Sequence, residues 1–381
     1  MLGKTNITTL KEGGIVTDVA DFSWVSMQSG VHTDFVRCIY ENGYLVAIAP
    51  DGTIVWTTDG EVWNTVKLEY EDCWLNDIDW DGERFVLAGS CKEMISDKAT
   101  TSRMIVFTKD FETFEKLESF KHEDSEIHYI FPKNGKYIVL TGGFHYSSAM
   151  EKMYIYTIDL TTGKDEISSE IYGATAQHNH KRYAFCAKNT SGILAYTNMA
   201  REDARYLYKA DNTIKRLSKI KTVSVFECKG VLYYIQLLQE ENYNLVKVTD
   251  AGEELTMCTG QNFAFVDGVY FNGCELFINN HEMLVVRKGE SISDKTVDDL
   301  IEIAPEMMLN CITKAFGQLY IFGNQGVILR SSVETNNENV IAVQTLSAKK
   351  ALADAKAYAD SRYAELEARI AELEGKQVNN E

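Results

Sequence analysis

Seven times along this chain a tight-turn signal is followed at once by an aromatic, strand-forming run. The instances are Asn42-Gly43-Tyr44, Asp81-Gly82-Glu83-Arg84-Phe85, Asn134-Gly135-Lys136-Tyr137, His180-Lys181-Arg182-Tyr183, Lys229-Gly230-Val231-Leu232-Tyr233, Asn272-Gly273-Cys274-Glu275-Leu276-Phe277 and Phe316-Gly317-Gln318-Leu319-Tyr320. Counted between residues 43, 82, 135, 180, 230, 273 and 317, the steps are 39, 53, 45, 50, 43 and 44 residues. That is the length of one four-stranded unit. The first unit is the plainest, with expected strands at 36–40, 44–49, 53–58 and 62–68 separated by Asn-Gly and Asp-Gly turns. The chain has 3 prolines, and none is expected inside these strands, because proline cannot donate to a ladder. One such unit cannot bury both of its faces, so the units must stack side by side and close into a ring. The expectation is an all-β fold, a seven-bladed β-propeller over residues 31–343. Its last unit needs a fourth strand, which either the early segment around Phe22-Ser23-Trp24-Val25-Ser26-Met27 or Val340 to Val343 could supply. Residues 1–30 are accordingly an N-terminal segment that could lend a closing strand.

After about residue 345 the composition turns to Ala, Glu, Lys and Leu, and residues 346–375 read as a C-terminal α-helical coiled coil. One heptad frame puts Leu352, Ala359, Leu366 and Leu373 at d, with Lys349, Lys356, Tyr363 and Ile370 at a. Arg362 and Arg369 then fall at g, and Glu367 and Glu374 at the e positions five residues on, the charge pairing used by parallel strands. The expected partner is a second copy of the chain. The oligomerisation residues would be Leu352, Ala359, Tyr363, Leu366, Ile370 and Leu373, in a trimer rather than a dimer.

Charge and cysteine usage narrow the partners. The formal net charge is −18, which opposes a broad phosphate-neutralising surface, so no nucleic acid is expected. No run approaches the roughly 18 apolar residues of a membrane span, and the N-terminus has no apolar signal core, so no membrane insertion is expected. The 8 cysteines are scattered without any C-x-x-C and read as buried, reduced thiols of a protein folded in the cytosol.

Catalytic and metal signatures are sparse. Asp77, Asp79 and Asp81 flank Trp80 and could serve as an acid and base pair on one strand face, although a solvated strand edge is the stronger reading. His178-Asn179-His180 has the spacing of a metal pair but no carboxylate or thiol beside it. Phosphate-loop, nucleophile-elbow and zinc-protease motifs are missing. No catalytic residue, metal or cofactor is assigned. A divergent glycoside hydrolase remains the third-ranked alternative.

The second-to-third-strand connections are tight in units one, six and seven, around Asp51-Gly52, Asn279-Asn280 and Asn324-Gln325-Gly326. In units two to five they carry extra residues near 90–102, 142–152, 198–206 and 236–243. Equivalent loops of a propeller emerge on one face, so these should form a raised crescent containing Phe144, His145, Tyr146, Met150 and Tyr243, the expected partner-binding residues.

Thr57-Thr58-Asp59-Gly60-Glu61-Val62-Trp63 resembles the Asp-box hairpin of sialidase-like propellers, Ser/Thr-x-Asp-x-Gly-x-x-Trp, with one residue fewer between Asp and Gly. Thr108-Lys109-Asp110-Phe111-Glu112-Thr113-Phe114 is a weaker echo. The resemblance implies a structural hairpin in which Asp and hydroxyl pin a turn and the aromatic packs between blades. Together with the terminal phrase AKAYADSRYAELEARIAELE, the arrangement is similar to tail-fibre and baseplate proteins of phages and of phage-tail-like particles from Gram-positive bacteria. That resemblance implies a non-enzymatic structural and receptor-binding role. The partners would be other tail or baseplate proteins and a host cell-surface glycan or protein. Synthesis would occur in the bacterial cytoplasm, followed by assembly into the particle. An intracellular protein-interaction scaffold is the runner-up.

Overall fold

A computed structural model describes residues 23–95, 97–120, 125–143, 151–159, 164–174, 184–188, 192–197, 204–209, 213–217, 222–238, 242–249 and 251–332. They belong to the first of two compact units, 1–333 and 334–381. The coiled-coil expectation for 346–375 lies outside the described residues, as does the segment 340–343.

Among the described residues the strands form seven four-stranded sheets, and every pairing in them is antiparallel. In the first, Arg37–Glu41, Tyr44–Ile48, Thr53–Thr57 and Asn64–Lys67 follow one another. The fourth strand starts at Asn64, two residues later than the alternation suggests, because Asp59 holds Glu61 and Val62 in a turn. The seventh sheet consists of Leu309–Ala315, Gln318–Gly323 and Val327–Ser332, with Ser23–Gln28 as its outer strand. Ser23 faces Ser332 and Gln28 faces Val327. The early segment therefore completes the last sheet.

The first strands of the sheets lie beside one another in chain order, and that of the seventh, Leu309–Ala315, returns beside that of the first, Arg37–Glu41. Side-chain alternation explains how the sheets stack. Leu45, Ala47 and Val55 pack with Tyr320, Phe322 and Ile328 of the seventh sheet. Their neighbours Val46, Ile48 and Ile54 pack on the opposite face with Leu75, Ile78, Phe85 and Leu87 of the second. A strand of period two thus buries both faces between flanking sheets, which is why its middle reads as an unbroken apolar run.

Polar side chains of the first strands stitch several sheets to the next. Several of these strands carry a bulge near their start, as between Leu75 and Asp77 or Leu309 and Cys311. A bulge turns one side chain out of the ladder. The Asn76 amide donates to the Ile127 carbonyl at 2.8 Å, and that of Asn310 to the Phe35 carbonyl at 2.8 Å. Carboxylates do the converse: Asp77 accepts from the Ile130 amide at 2.9 Å and Asp267 from the Ile312 amide at 3.0 Å. Burial pushes the Asp77 carboxyl up to about 6, against the opposing charge of Arg37. Pro132 sits inside a first strand, Ser125–Lys133, opposite Tyr137, contrary to the expectation that strands exclude proline. The Ile130 amide, two residues earlier, points away from the partner strand to Asp77, and Pro132 shares that orientation, so the missing donor costs no ladder bond.

The hairpin at 57–63 is pinned as its residue types suggest. Asp59 accepts from the Glu61 and Val62 amides at 2.8 and 2.9 Å and from the Thr57 hydroxyl at 2.9 Å. Thr57 in turn accepts from the Gly60 amide at 3.0 Å. Asp110 and Thr108 repeat this pattern in the second sheet, with Phe111 in the place of Gly60. Both residues are left-handed, at φ +77° and +59°. A side chain on Gly60 would overlap the Tyr320 hydroxyl. Phe111 instead buries its ring against Trp56, Tyr44 and Phe85, and that burial offsets the backbone strain.

Two outcomes are expected in denaturant unfolding. Trp63 packs edge-on against Tyr320 and Phe322 with ring centroids 6.3 and 5.9 Å away, and its buried indole nitrogen makes no hydrogen bond among the described residues. Trp63→Ala should cost about 3 kcal/mol and Trp63→Phe less than about 1.5 kcal/mol; equal losses would contradict packing as the cause. For Asp77, the folded state holds its proton up to about pH 6, while an unfolded aspartate releases it near 4. The contribution of Asp77 to stability should therefore be fully present below about pH 4 and be lost as pH rises to about 6. Asp77→Asn should flatten that decline by on the order of 2 kcal/mol, and an unchanged slope would refute the assignment.

Candidate functional site

The first strands bring a set of charged groups to the axis. Arg37 of the first sheet pairs with Asp77 of the second at 3.1 Å and lies 5.4 Å from the Tyr129 ring centre. Lys188 reaches from the fourth sheet to Asp79 of the second. Asp79 is raised by burial, with Lys188 opposing. The expectation of a solvated edge at Asp77 and Asp79 is therefore corrected: both are buried, 2% and 7% exposed. The bulge after Leu75 and the closure of neighbouring sheets carry them inward. Each carboxylate is engaged by a cation and by a backbone amide, which suits a strut between sheets better than a proton donor and acceptor poised over substrate.

Where the first strands end, a cavity of about 530 Å³ opens between Tyr40, Glu41, Glu227, Phe271, Lys314 and Phe316. Burial raises both glutamates, and the charge of Asp79 adds to the effect on Glu41. Glu227 also accepts the Gly230 amide of its own turn. The sequence reading missed this mouth, although charged residues just before the marker turns, Glu41, Glu227 and Lys314, were its available signal.

A second cavity, about 460 Å³, opens at the other end of the sheets, between the fifth and the sixth, and contains Tyr243. Tyr243 lies near the start of Asn242–Val248, opposite Gly260. The facing wall is the turn 279–282. Buried Asn279 caps it, accepting from the His281 amide at 2.9 Å and the Glu282 amide at 2.7 Å. Its own amide donates to the Asn262 carbonyl at 2.8 Å. His281 Nδ1 lies 2.7 Å from the Met307 carbonyl, and the Asn280 carbonyl accepts from the Leu309 amide at 2.9 Å. The wall is thus held rigidly to both neighbouring segments.

Of the expected crescent, Tyr243 is placed at this cavity, whereas Phe144, His145, Tyr146 and Met150 lie outside the described residues. The extra residues of the second unit extend the ladder instead of looping out: Phe85–Ile95 pairs with Lys98–Thr108 along its whole length. The oligomerisation residues and His178 to His180 also fall outside. Among the described residues no group of three or more His, Cys, Asp or Glu could hold a metal ion, and no helix is long and apolar enough to cross a membrane. Apart from Cys186, whose side chain lies outside the description, the cysteines are free thiols, five of them buried.

No protein family matches the sequence, and no curated protein matches it. Solved structures do resemble the fold. A catalytically inactive virginiamycin B lyase from Staphylococcus aureus, solved with quinupristin, is 10% identical with a TM-score of 0.53, over 82% of this chain and 99% of that one. The Pan2 WD40 domain from Neurospora crassa is 10% identical with a TM-score of 0.52, over 80% and 90%. A streptogramin B lyase is 11% identical with a TM-score of 0.50, over 82% and 97%. At such identities the likeness concerns architecture alone, and with the ring of sheets it shows that the described part of the chain is a β-propeller.

Proposed function

We propose that the chain is a seven-bladed β-propeller that works by binding, as a non-enzymatic structural and partner-binding component of a phage tail or phage-tail-like particle, oligomerised through residues 346–375. The observation that carries the binding reading is the cleft around Tyr243, a cavity with one firmly held wall in which, among the described residues, the side chains of Gln261, Asn262, Asn280 and Glu302 are uncommitted. The buried axial carboxylates Asp77 and Asp79, by contrast, are taken up by cations and amides of neighbouring sheets. The seven sheets, with their first strands in a closed order, support the blade number. The neighbours in fold include lyases and a WD40 domain, so likeness of fold is neutral between an enzyme and a scaffold. The particle role rests on the Asp-box-like hairpin and on the heptad pattern of the terminal segment. Several propellers held together would gain affinity through effective concentration without new contacts.

Gold-labelled antibody against the propeller should decorate purified tails or tail-like particles in electron micrographs. Label confined to the soluble cytoplasmic fraction would instead make the protein an intracellular interaction scaffold. Removing residues 346–381 should leave a folded monomer by light scattering, and an oligomer that persists after removal would rule the terminal helix out as the joint.

A further inference from the structure

The polar groups around Tyr243 have a consistent chemistry. Gln261, Asn262 and Asn280 line the cleft with side-chain amides, alongside His281, Glu302 and the Tyr243 ring. Among the described residues, none of the three amides nor the Glu302 carboxylate makes a side-chain hydrogen bond within the protein. His281 has its Nδ1 against the Met307 carbonyl, which leaves Nε2 to the cleft or to solvent. Of these groups, Asn280 and His281 stand on a turn whose backbone is fixed by the Asn279 cap and by the bonds from Leu309 to Asn280 and from Ile303 and Ala304 to His281, while Gln261 and Asn262 face it from the end of the fifth sheet. A ligand would therefore meet one wall whose backbone is set on folding and side-chain amides free to turn toward it.

The class of ligand follows from what the wall offers and what it withholds. Among the described residues neither lysine nor arginine lines the cleft, while two carboxylates do, Glu282 and Glu302, so a phosphate or an acidic sugar would meet repulsion there. Side-chain amides both donate and accept, as does each hydroxyl of a sugar ring, and carboxylates accept from adjacent hydroxyl pairs. The half-buried Tyr243 supplies an apolar face edged by a hydroxyl, the amphipathic surface on which the C–H face of a sugar can lie. At about 460 Å³ the cavity falls within the range of small-ligand sites and has room for a short saccharide. A peptide would need more apolar lining than Tyr243, Ala264 and Pro305 provide.

We infer that the cleft between the fifth and sixth sheets is a binding site for a neutral saccharide, read by the amides of Gln261, Asn262 and Asn280 against the ring of Tyr243. The inference rests on the binding reading above and names the ligand class of that same site.

The test is saturation-transfer difference NMR on the full chain, with lactose, maltose, cellobiose and N,N′-diacetylchitobiose as neutral probes and sialyllactose as the acidic control. At least one neutral probe should receive saturation and the acidic one should not. The surface pair Gln261→Ala and Asn280→Ala should weaken that binding at least tenfold with an unchanged melting temperature. Tyr243→Ala should abolish it, and if that variant is unstable, Tyr243→Leu tests the loss of the ring. Saturation of no neutral probe, or saturation untouched by the amide pair, overturns the saccharide assignment. Particle attachment to host cells separates the two levels. If the amide pair abolishes attachment while no neutral sugar binds, the site is a partner site of another class and only the saccharide fails. If neither sugar binding nor attachment responds to the pair, the binding reading of the cleft fails as well.

Discussion

Ring closure depends on a strand pairing between residues far apart in the chain. Ser23–Gln28 lies along Val327–Ser332 for its full length and turns a three-stranded last unit into a four-stranded one. Beside that pairing, the first and seventh sheets meet through their first strands, the apolar seam of Phe35, Leu45, Tyr320 and Phe322, and bonds such as Phe35 N–H to the Gly323 carbonyl and Arg330 to Glu61. The seam in turn needs the ring to be shut, since Leu45 and Phe322 are fully buried only because the two sheets face each other. The bond from Asn310 to the Phe35 carbonyl spans 275 positions and stitches the same joint from the axis side. Backbone ladder, apolar seam and polar stitch thus reinforce one another at the place where the chain's order is interrupted.

The axis gathers buried carboxylates and the cations and amides that meet them. Taking Asp77 out of water costs free energy, which the Ile130 amide and Arg37 offset incompletely, as its raised titration indicates. Such groups add little net stability but fix which residue of one sheet meets which residue of the next, because a one-residue slip would leave a buried carboxylate without a donor. Asp267 and Ile312 repeat the device four sheets later. At the far end of the strands the axial cavity retains two glutamates, both raised by burial.

The sheets were legible in the sequence because each unit advertises itself locally. Asn42, Asn134 and Asn272 sit left-handed ahead of their glycines, and these pairs marked the hairpins. Aromatic strand starts such as Tyr44 and Phe85 added the rest. What joins the units was not legible. Asn76 bonds to Ile127 and Asp77 to Ile130 across 51 and 53 positions, and nothing near Asn76 announces the bulge that aims it. For the same reason Asp77 and Asp79 read as solvent-facing: alternation along a strand tells which face a residue takes, but not whether a neighbouring sheet covers that face. Tyr243 was reached by loop length alone, and its cleft companions Gln261, Asn280 and Glu302 come from two sheets whose adjacency only the ring supplies. The 90–102 segment shows the opposite limit, since extra residues there lengthen a ladder where an excursion had been expected.

The closing strand also has a consequence in time. Synthesis proceeds from the N-terminus, so Ser23–Gln28 leaves the ribosome about 300 residues before its partner Val327–Ser332 exists. Throughout that interval the early strand has no native ladder to join, and the growing stack of sheets has an open end. Folding of the domain therefore cannot finish co-translationally sheet by sheet, although individual sheets can form as they emerge. Until the two segments meet, the outer edge of Val327–Ser332 is an unpaired template, and a neighbouring nascent chain carrying its own free Ser23–Gln28 is a competent donor. The same exchange that closes one ring can then link two, which makes dilution and early shielding of the first 30 residues the conditions under which this architecture is made singly.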